Sequence, residues 1–560
     1  MATDFATLPR WISASLEIKE GRDPLGLQTT TQDRLMPLLL PGVLELSLRA
    51  RYLSFHAFLL DEYRRRRLAA DSTSLSTFIT RREWEFGLAV LACPHECGSV
   101  PVGADRLRPL MRHSPPPYDR GESVKSAFGG YGLYYRSPLA DIGIVARAGT
   151  LLGDRPIPVD VLTESERATR VASTFRSAIE TTQYFARWML TNDPLPLDVL
   201  RDYAEVACLC QLPHLPDERA AVHDALFGSD LAVPDTTPTY PLAVAEPAAD
   251  GNDADADAEL LLEAYGGAIR QRRRSFAHYL SLIDAEPAVV DNESAYRETL
   301  WSPPTIRDEG QGLVAGQWSA LIAKDVWQDA LCSVWSNFCR AGLARTRDLS
   351  RGLTWAETEE VARRLVTGSP ALDPDGSTAD LARDLAENRL GLDGDVRPAS
   401  MTLEALRRWT VSTDTASSGL IVLLELDRRA AAHEGHGWKL GTSVRSAWQP
   451  SVASVREALQ AHLTSSATNT DTMWWLVERF VLQVHERIAY SKLPEFTFRF
   501  RWEEGLLRFF DHGIGRFPLA SIRMRAFASL SNDLGLWDHD SEGTAALSPL
   551  GREFVAEVFG

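Results

Sequence analysis

The most informative part of the sequence lies near the C-terminus. It reads Leu530-Ser-Asn-Asp-Leu-Gly-Leu-Trp537, then Asp538-His-Asp-Ser-Glu-Gly543, then Thr544-Ala-Ala-Leu-Ser-Pro-Leu-Gly-Arg-Glu-Phe-Val-Ala-Glu-Val558. A helix is expected to end at Gly535, because glycine readily adopts the left-handed conformation that closes helices. A short apolar strand then leads into an acidic turn and returns as a second strand. Ser548 is expected to cap the next helix, which has Pro549 at its first position. The sequence therefore predicts helix, strand, turn, strand and helix in that order.

The same pattern occurs a second time, in the first third of the chain. Leu139-Ala-Asp-Ile-Gly-Ile-Val145 precedes a polar, glycine-containing insert and then Val161-Leu-Thr-Glu-Ser-Glu-Arg-Ala-Thr-Arg-Val-Ala172. Thr163 is expected to cap the second helix, with Glu166 three residues later. Both places resemble winged helix-turn-helix modules, which bind DNA or hold proteins together. The matched residues are Asp141, Gly143, Leu162, Thr163 and Arg167 in the first copy and Asp533, Gly535, Leu547, Ser548 and Arg552 in the second.

Helical periodicity dominates the rest of the chain. Leu44–Tyr63 places apolar side chains on one broad face, as an amphipathic helix does. The spacing of Trp327, Trp335 and Phe338 predicts a stripe that faces a core. Further helices are predicted over 80–93, 164–190, 197–211, 257–284, 314–344, 355–366, 472–490 and 517–532. The predicted fold class is therefore mainly α: a multidomain helical protein with two small winged-helix-like modules that contain short β-hairpins.

A linker is predicted over Val233–Asp257, which contains several prolines and ends in alternating Ala and Asp. Few apolar side chains are present there to form a core, and the like charges repel one another. This break sets the predicted domain organisation. It comprises an N-terminal helical segment at 1–80, a helical region with the first module at 81–232, the acidic linker at 233–257, a helical domain at 258–465 and the C-terminal module at 466–560.

The composition is typical of a globular protein. The 560 residues are 44% hydrophobic and 24% charged, and the formal net charge is −17. Such a charge opposes non-specific attraction to nucleic acid and to anionic lipid. No apolar run reaches the roughly 18 residues that a membrane helix needs, and the N-terminus shows no secretory signal. The six cysteines form no disulfide framework, so a reducing cytoplasm is the expected location.

Basic residues near the two modules are candidate contacts to nucleic acid. In the C-terminal copy, the helix predicted over 517–532 would face a major groove with Arg523 and Arg525. Arg508 and Arg516 lie just upstream, where they would contact phosphates. The turn at 538–543 is acidic and would repel a phosphate backbone, so packing against protein is the alternative that we favour.

The first copy has its own set of candidate contacts. Lys125 and Arg136 would touch nucleic acid, and Tyr131, Tyr134 and Tyr135 would stack on its bases. In the alternative, which we favour, the three tyrosines pack the core of the module.

Two groups of cysteine and histidine are candidate metal ligands. His95 lies between Cys93 and Cys97 just after a predicted helix, and Cys208 and Cys210 form a second group with His214. Together the groups would supply four ligands to a structural zinc ion. However, Cys208 and Cys210 fall inside a predicted helix, where side chains two positions apart point in different directions. Buried small thiols without metal are the alternative, and no other cofactor is predicted.

The sequence lacks the motifs of several enzyme classes. It contains no Gly-Lys dipeptide and therefore no phosphate-binding loop, and no Gly-x-Ser-x-Gly turn of a hydrolase. Gly513-Ile-Gly515 lacks the third glycine of a dinucleotide-binding loop. Glu17-Ile-Lys19 is similar to the last part of a carboxylate–lysine motif found in nucleases, but the second carboxylate of that motif is not evident. His433-Glu-Gly-His436 has the wrong spacing for a metal-binding helix, and a loop is expected there.

Two segments of the first third carry a resemblance to known proteins. The first segment is Leu38-Leu-Leu-Pro-Gly-Val-Leu-Glu-Leu-Ser-Leu-Arg-Ala-Arg-Tyr-Leu-Ser-Phe-His56, and the second is Gly129-Gly-Tyr-Gly-Leu-Tyr-Tyr135. Together with the helix predicted to be capped at Thr163, they are similar to a group of large helical bacterial proteins. Members of the group are encoded beside helicases and nucleases in anti-phage defence islands. The resemblance involves no catalytic motif and no functional residue. It implies an accessory subunit that works with a separately encoded helicase or nuclease.

These observations predict a non-enzymatic helical subunit whose modules bind partner proteins, DNA or both. The first alternative is a nuclease or other hydrolase whose dispersed acidic residues converge only in the fold. A cluster of carboxylates with a Lys or His in a cleft would favour that alternative. The second alternative is a transcription regulator that binds specific DNA sequences, and the strongly negative charge counts against it.

Overall fold

A computed structural model describes residues 23–95, 97–118, 124–152, 155–191, 193–228, 267–303, 305–367, 372–392, 397–433, 435–444, 451–510 and 519–560. Most of them are helical and the strands are short, so the predicted mainly α class is confirmed. The α-helices are α1 (Leu27–Thr29), α2 (Met36–Leu39), α3 (Arg51–Arg65), α4 (Ser72–Leu91), α5 (Ala104–Leu107), α6 (Arg136–Asp141), α7 (Glu166–Ile179), α8 (Leu197–Ala207), α9 (Pro216–Phe227), α10 (Ala268–Ala285), α11 (Glu293–Trp301), α12 (Glu309–Leu349), α13 (Trp355–Arg363), α14 (Thr378–Ala386), α15 (Leu403–Thr413), α16 (Ala416–Ala430), α17 (His436–Ser443), α18 (Val452–Leu463), α19 (Asn469–Leu476), α20 (Gln483–Ser491), α21 (Met524–Asp533) and α22 (Pro549–Phe559).

Four antiparallel strand pairs and several tighter or wider helical turns complete the secondary structure of the described residues. The strands are β1 (Val145–Ala146), β2 (Leu151–Leu152), β3 (Arg155–Pro156), β4 (Val161–Leu162), β5 (Phe500–Glu503), β6 (Leu506–Phe509), β7 (Trp537–His539) and β8 (Ala545–Leu547). They pair as β1 with β4, β2 with β3, β5 with β6 and β7 with β8. The 3₁₀ segments are Arg108–Arg112, Leu209–His214, Pro287–Val290, Arg364–Val366 and Pro398–Ser400, and the π-helical segments are Thr30–Leu35, Tyr131–Tyr135, Tyr184–Trp188 and Val477–Leu482.

The described residues divide into two compact units, each assembled from separate stretches of chain. Unit 1 holds those within 23–37 and 294–520, and unit 2 holds those within 38–228, 267–293 and 521–560. Both helix–hairpin–helix stretches belong to unit 2. The domain boundaries inferred from the sequence stay predictions. The linker at 233–257, Arg516, Gly513–Gly515 and Glu17–Lys19 lie outside the described residues.

Unit 1 is built around α12, a helix of 41 residues. Asp308 caps its start, because the Asp308 carboxylate accepts a hydrogen bond from the Gln311 N–H at 2.7 Å. Helices α15, α16 and α17 pack along α12. The predicted core-facing stripe of Trp327, Trp335 and Phe338 is buried and therefore confirmed, and Trp318 on the same helix is buried as well.

Unit 2 contains two long buried helices that begin with similar sequences. Helix α3 begins at the third residue of Arg49-Ala-Arg51-Tyr-Leu-Ser-Phe55, and α10 contains Arg270-Gln-Arg272-Arg-Arg-Ser-Phe276. Helix α7, which ends the first module, packs on α3, and α22, which ends the second, packs on α10. Each module therefore has an equivalent buried helix, and the internal similarity extends beyond the hairpins.

The two predicted helix–strand–turn–strand–helix stretches both form, and they share the same turn geometry. Helix α6 ends at Asp141 and α21 at Asp533, and the glycine two residues after each helix is left-handed, with φ of 76° at Gly143 and 72° at Gly535. In the first copy β1 pairs with β4 around a longer insert, which holds the extra hairpin of β2 and β3. In the second copy β7 pairs directly with β8. The local pattern predicted from the sequence is confirmed, while the assignment to winged-helix modules stays a prediction.

One hydrogen bond closes both copies in the same way. The Thr163 hydroxyl donates to the carbonyl oxygen of Gly143 at 2.8 Å, and the Ser548 hydroxyl donates to that of Gly535 at 2.6 Å. Ser548 also caps α22, as predicted, by accepting the N–H of Gly551. The prediction that Thr163 caps α7 is wrong. Because two further residues precede the helix in the first copy, Ser165 is its cap and accepts the N–H of Ala168.

Two helices start later than their periodicity predicts. Helix α3 begins at Arg51 and not at Leu44, and α21 begins at Met524, after Arg523 in a left-handed conformation with φ of 58°. Neither start has a local side-chain cap. The acceptor for the start of α3 comes from the other end of the chain, because the Asp533 carboxylate accepts the Ala50 N–H at 2.9 Å.

Candidate functional site

The four cysteines predicted as metal ligands come together in unit 2. Cys93 and Cys97 lie in the loop after α4, while Cys208 closes α8 and Cys210 lies in the following 3₁₀ segment. One ligand atom of each cysteine lies within 4.8 Å of those of the other three. All four are free thiols, with no disulfide among them. Among the described residues, this is the group with the ligand arrangement that a metal ion requires.

The helix predicted over 197–211 is wrong at its C-terminal end, and this difference creates the site. Helix α8 stops at Ala207 because Cys208 adopts an extended conformation, with φ −58° and ψ 147°. Cys208 and Cys210 are therefore not two positions of one helix, and the argument that their side chains would point in different directions does not apply. The extended residue turns the chain, and Cys208 and Cys210 both join the cysteines of the other loop.

The spacing of the sulfur atoms fits a single tetrahedral metal ion. The Sγ–Sγ distances are 3.7 Å from Cys97 to Cys93, 3.6 Å from Cys97 to Cys208 and 3.8 Å from Cys93 to Cys210. A zinc ion that binds four thiolates at about 2.3 Å places neighbouring sulfurs about 3.8 Å apart, the edge of the tetrahedron. A cluster of several iron atoms would hold them further apart. These three distances match the edge of a mononuclear tetrathiolate site, and the other Sγ–Sγ distances are at most 4.8 Å.

Local hydrogen bonds prepare one of the four thiols for ionisation. Burial opposes ionisation of Cys97, but hydrogen bonds from Ser99 and from the neighbouring thiols outweigh it and lower the pKa of Cys97 to about 6. Burial raises the pKa of Cys208 well above its usual range and that of Cys210 to about 11. A metal ion binds thiolates only, so binding at this site would release protons from the other thiols.

The histidines of the two predicted groups do not belong to the site. His95 is exposed, and its Nε2 lies 3.4 Å from the carbonyl oxygen of Glu205 and 3.6 Å from the Glu205 carboxylate. The described metal-ligand group contains neither His95 nor His214. His433 stacks on Trp438 in unit 1, with ring centroids 4.7 Å apart.

Two arginines, the buried Arg51 and the half-buried Arg49, connect the cysteine site to the start of α3. The Arg51 guanidinium donates to the carbonyl oxygen of Cys208 and forms a two-point ion pair with Glu218 at 2.9 and 3.1 Å. Arg49 donates to the carbonyl oxygen of Leu209 at 3.5 Å. Sequence reasoning missed these residues, because arginines on a helical face carry no signal of what they bind.

The Arg49 guanidinium also forms a two-point ion pair with Asp533 of the C-terminal module, at 2.9 and 3.0 Å. Burial raises the pKa of Asp533 although Arg49 and the Ala50 N–H favour its charged form. The sequence held one signal for this residue, because Asp533 matches Asp141 in the internal similarity.

Three of the six basic residues predicted to contact nucleic acid are paired with carboxylates. Arg136 forms a two-point ion pair with Asp160 at 2.6 and 2.7 Å. Arg523 Nη1 lies 3.7 Å from the Glu45 carboxylate. In unit 1, Arg508 lies 3.4 Å from Glu503 and 3.7 Å from Glu504. The remaining candidates are Lys125 and Arg525, which are exposed, and Arg516, which lies outside the described residues.

The tyrosines of the first module pack inside it. Tyr131 and Tyr135 are buried, and the Tyr131 hydroxyl donates to Asp160 at 2.8 Å. Tyr134 is half-buried, and its carbonyl oxygen accepts a hydrogen bond from Ser47. This arrangement agrees with the core interpretation of Tyr131 and Tyr135.

Carboxylates and a lysine also meet on α12, in the interior of unit 1. Asp325 lies between Arg297, at 2.7 Å, and Lys324, at 3.5 Å. Asp329 pairs with Arg407 at 2.6 Å. Burial lowers the pKa of Lys324. These side chains are at most 9% exposed and pair with one another, which is the arrangement of a structural ion-pair network.

Two further observations concern the chain as a whole. No helix among the described residues is both long enough and apolar enough to span a membrane. Comparison of the chain with protein-family models, with curated proteins and with solved structures found no significant match.

Proposed function

We propose that the chain is a non-enzymatic helical subunit that binds partner proteins through its two helix–hairpin–helix modules, which we assign as winged-helix-like. In the same proposal the four cysteines hold a structural zinc ion in unit 2. Following the sequence resemblance, its setting is a bacterial multiprotein system, such as an anti-phage defence system with a helicase or nuclease.

The observation that carries the proposal is the pair of modules closed by the same hydroxyl-to-glycine hydrogen bond. Each module fixes its hairpin at the base, through Gly143 and Thr163 or through Gly535 and Ser548, and leaves the turn beyond it free to meet a partner. In the C-terminal copy every residue from Asp538 to Thr544 is exposed. In the first copy Leu151 is 67% exposed on the inserted hairpin.

The charges favour a protein partner over DNA. Arg136 and Arg523 are held near carboxylates within unit 2, so they offer little positive charge to a phosphate backbone. The exposed tip of the C-terminal hairpin carries Asp538, Asp540 and Glu542. A tip of this charge would attract a basic protein surface and repel nucleic acid.

The proposed zinc ion has a structural role. Four cysteines fill the coordination of tetrahedral zinc, so no position stays open for a substrate or a reactive water. The ion would join the loop after α4 to the end of α8, where sulfur atoms of the two cysteine pairs already lie 3.6 and 3.8 Å apart. Cys93, Cys97, Cys208 and Cys210 are the residues that would hold it.

A charge-neutralising variant of the hairpin tip tests the adaptor proposal. Asp538→Asn with Glu542→Gln removes two tip charges and leaves Asp540, whose carboxylate accepts two backbone N–H groups of the turn. Tagged chains at endogenous expression are expected to co-purify a defined partner, and the tip variant is expected to lose it. Asp198→Asn with Asp217→Asn, on exposed helix starts of unit 2, is the matched control. Equal recovery with the tip variant, or no stoichiometric partner for the wild type, would contradict the proposal.

DNA contact through the C-terminal module has a separate test. Any binding is expected to be weak, to fall as salt rises, and to decrease in the Arg523→Ala, Arg525→Ala double variant. Electrophoretic mobility shifts at two salt concentrations measure it. Unchanged binding by the double variant would remove this module from contact with DNA.

A further inference from the structure

We propose that the cysteine site is a switch that responds to hydroperoxides: oxidation at Cys97 expels the metal and loosens the seat of the C-terminal module on α3. This inference rests on the proposed zinc site. It adds a modification site, an oxidant class and a route by which the oxidation reaches a binding module.

The four cysteines differ in their access to solvent. Cys97 is exposed, Cys93 and Cys210 are half-buried, and Cys208 is buried. A small oxidant therefore reaches Cys97 first, because reactivity of a thiolate follows its exposure. The two further cysteines of the chain, Cys332 and Cys339, are buried in the core of unit 1 and serve as an internal reference.

The neighbouring thiolates are placed to complete the reaction. The Cys97 thiolate attacks one oxygen of the hydroperoxide and breaks the O–O bond. Cys97 thereby becomes a sulfenic acid, and hydroxide or alkoxide is released. Cys93 or Cys208, with Sγ atoms 3.7 and 3.6 Å from that of Cys97, then attacks the oxidised sulfur, forms a disulfide and expels the second hydroxide. Two thiolates lose two electrons, which the peroxide bond takes up. With two of its four ligands consumed, the zinc ion leaves.

The loss of metal would reach the C-terminal module through two arginines. The carbonyl oxygens of Cys208 and Leu209, on the turn that the metal fixes, accept hydrogen bonds from Arg51 and Arg49. Arg49 in turn holds Asp533, the last residue of α21. Asp533 also accepts the Ala50 N–H, so the amide at the start of α3 reports whether the module is seated.

The experiment uses the full chain loaded with one equivalent of zinc and treated with about a tenfold excess of hydrogen peroxide. A chromogenic chelator is expected to detect release of the zinc, and thiol titration to fall from six to four per chain. Peptide mapping is expected to find Cys97 in the disulfide and Cys332 and Cys339 reduced. Hydrogen exchange at the Ala50 amide is expected to quicken by about tenfold.

Two variants make the test specific. Cys97→His keeps a metal ligand and removes the exposed thiol, so this variant is expected to bind zinc and to retain it under the same peroxide. Cys332→Ser removes a thiol of unit 1 and is expected to respond as the wild type does. Should Cys97→His fail to fold, the wild-type thiol count and disulfide map still decide the question.

The outcomes separate this inference from the proposed function. Zinc that stays bound with six intact thiols overturns the switch and leaves the structural zinc proposal standing. Zinc release without faster exchange at Ala50 overturns the route through Arg49 and Arg51. A chain that binds no zinc at all contradicts the proposed metal site itself.

Discussion

Arg49 and Asp533, 484 positions apart in the chain, form a two-point ion pair inside unit 2. The same carboxylate accepts the Ala50 N–H and so caps α3 from the far end of the sequence. A similar relation occurs in the other copy, where Asp141, the residue that matches Asp533, is attracted by the buried Arg272 of α10. The aspartate that ends the first helix of each module is therefore stabilised in its charged form by an arginine near the start of a buried helix, although the ion pair of Asp141, at 3.5 Å, is with Arg147.

Removal of the Asp533 carboxylate is expected to destabilise unit 2. Asp533→Ala breaks a largely buried ion pair and leaves the Ala50 N–H without an acceptor, so the free energy of unfolding is expected to fall by about 3 to 5 kcal/mol. Asp533→Asn keeps an acceptor for that N–H and is expected to recover about 1 kcal/mol. Urea denaturation measures both. Asp538→Asn on the exposed tip is the control, with an expected change within about 0.5 kcal/mol.

The stability of the protein is expected to depend on pH through Asp141. Burial is the largest cause that raises the pKa of Asp141 to about 6, although Arg147 and Arg272 favour its charged form. A carboxyl whose pKa is higher in the folded state stabilises the fold at low pH, and this contribution is lost as pH rises through 6. Between about pH 4.5 and pH 7 the loss amounts to about 2 kcal/mol. The Asp141→Asn variant is expected to lack this part of the pH dependence.

Asp160 supplies the matched control for that experiment. Burial opposes ionisation of Asp160, but Arg136, the Ala148 N–H and the Tyr131 hydroxyl together hold its pKa below the usual range. Its stabilising contribution is present above the ordinary aspartate pKa and is lost as pH falls below about 4. Asp160→Asn is therefore expected to destabilise the fold almost equally at pH 4.5 and pH 7. A pH profile of Asp141→Asn that matches the wild type would contradict the account of Asp141.

The packing of α22 on its hairpin is expected to depend on Gly551. A Cβ atom at this position would lie 1.9 Å from the carbonyl oxygen of Leu536, so the helix would have to move away from β7. Gly551→Ala is expected to lower the free energy of unfolding by about 1 to 3 kcal/mol. Gly391→Ala, where a Cβ meets no atom within 4 Å, is the control and is expected to be neutral or slightly stabilising. Thermal unfolding of the two variants side by side decides between a close contact and a loosely packed helix.

Metal removal is expected to destabilise the wild type and not a variant without the site. A zinc ion present at a thousand times its dissociation constant stabilises the folded state by about 4 kcal/mol. A strong chelator is therefore expected to shift the urea midpoint of the wild-type protein and to leave that of Cys208→Ser unchanged. If the chelator shifts both proteins equally, its effect does not come from this site.

Local chemistry explains how much of the fold the sequence predicts. Three of the predicted features depend on local signals. They are the glycines that follow two helix termini, Gly143 and Gly535, the cap at Ser548 and the helical periodicity, and each is present in the structure. The late start of α3 has no local signal, because the acceptor for the Ala50 N–H is Asp533. By analogy with Ser548 the sequence predicts Thr163 as the cap of α7, but the two extra residues in the first copy move that role to Ser165.

The candidate site was only half visible in the sequence for a similar reason. The cysteine pairs stand in the sequence, but helical periodicity does not reveal that Cys208 leaves the helix in an extended conformation. One residue with ψ of 147° brings Cys208 and Cys210 to the same place. The sequence also shows the basic residues, but it does not show that Arg136 pairs with Asp160, because only the fold brings the two side chains together.

X-ray absorption at the zinc edge, on protein expressed with zinc and purified without chelator, reports whether the four cysteines hold a zinc ion. We expect about one zinc per chain, surrounded by four sulfur atoms at about 2.3 Å, and no such signal from the Cys93→Ser, Cys208→Ser double variant. Nitrogen or oxygen ligands in place of sulfur, or a wild-type chain that carries no stoichiometric zinc, would contradict it.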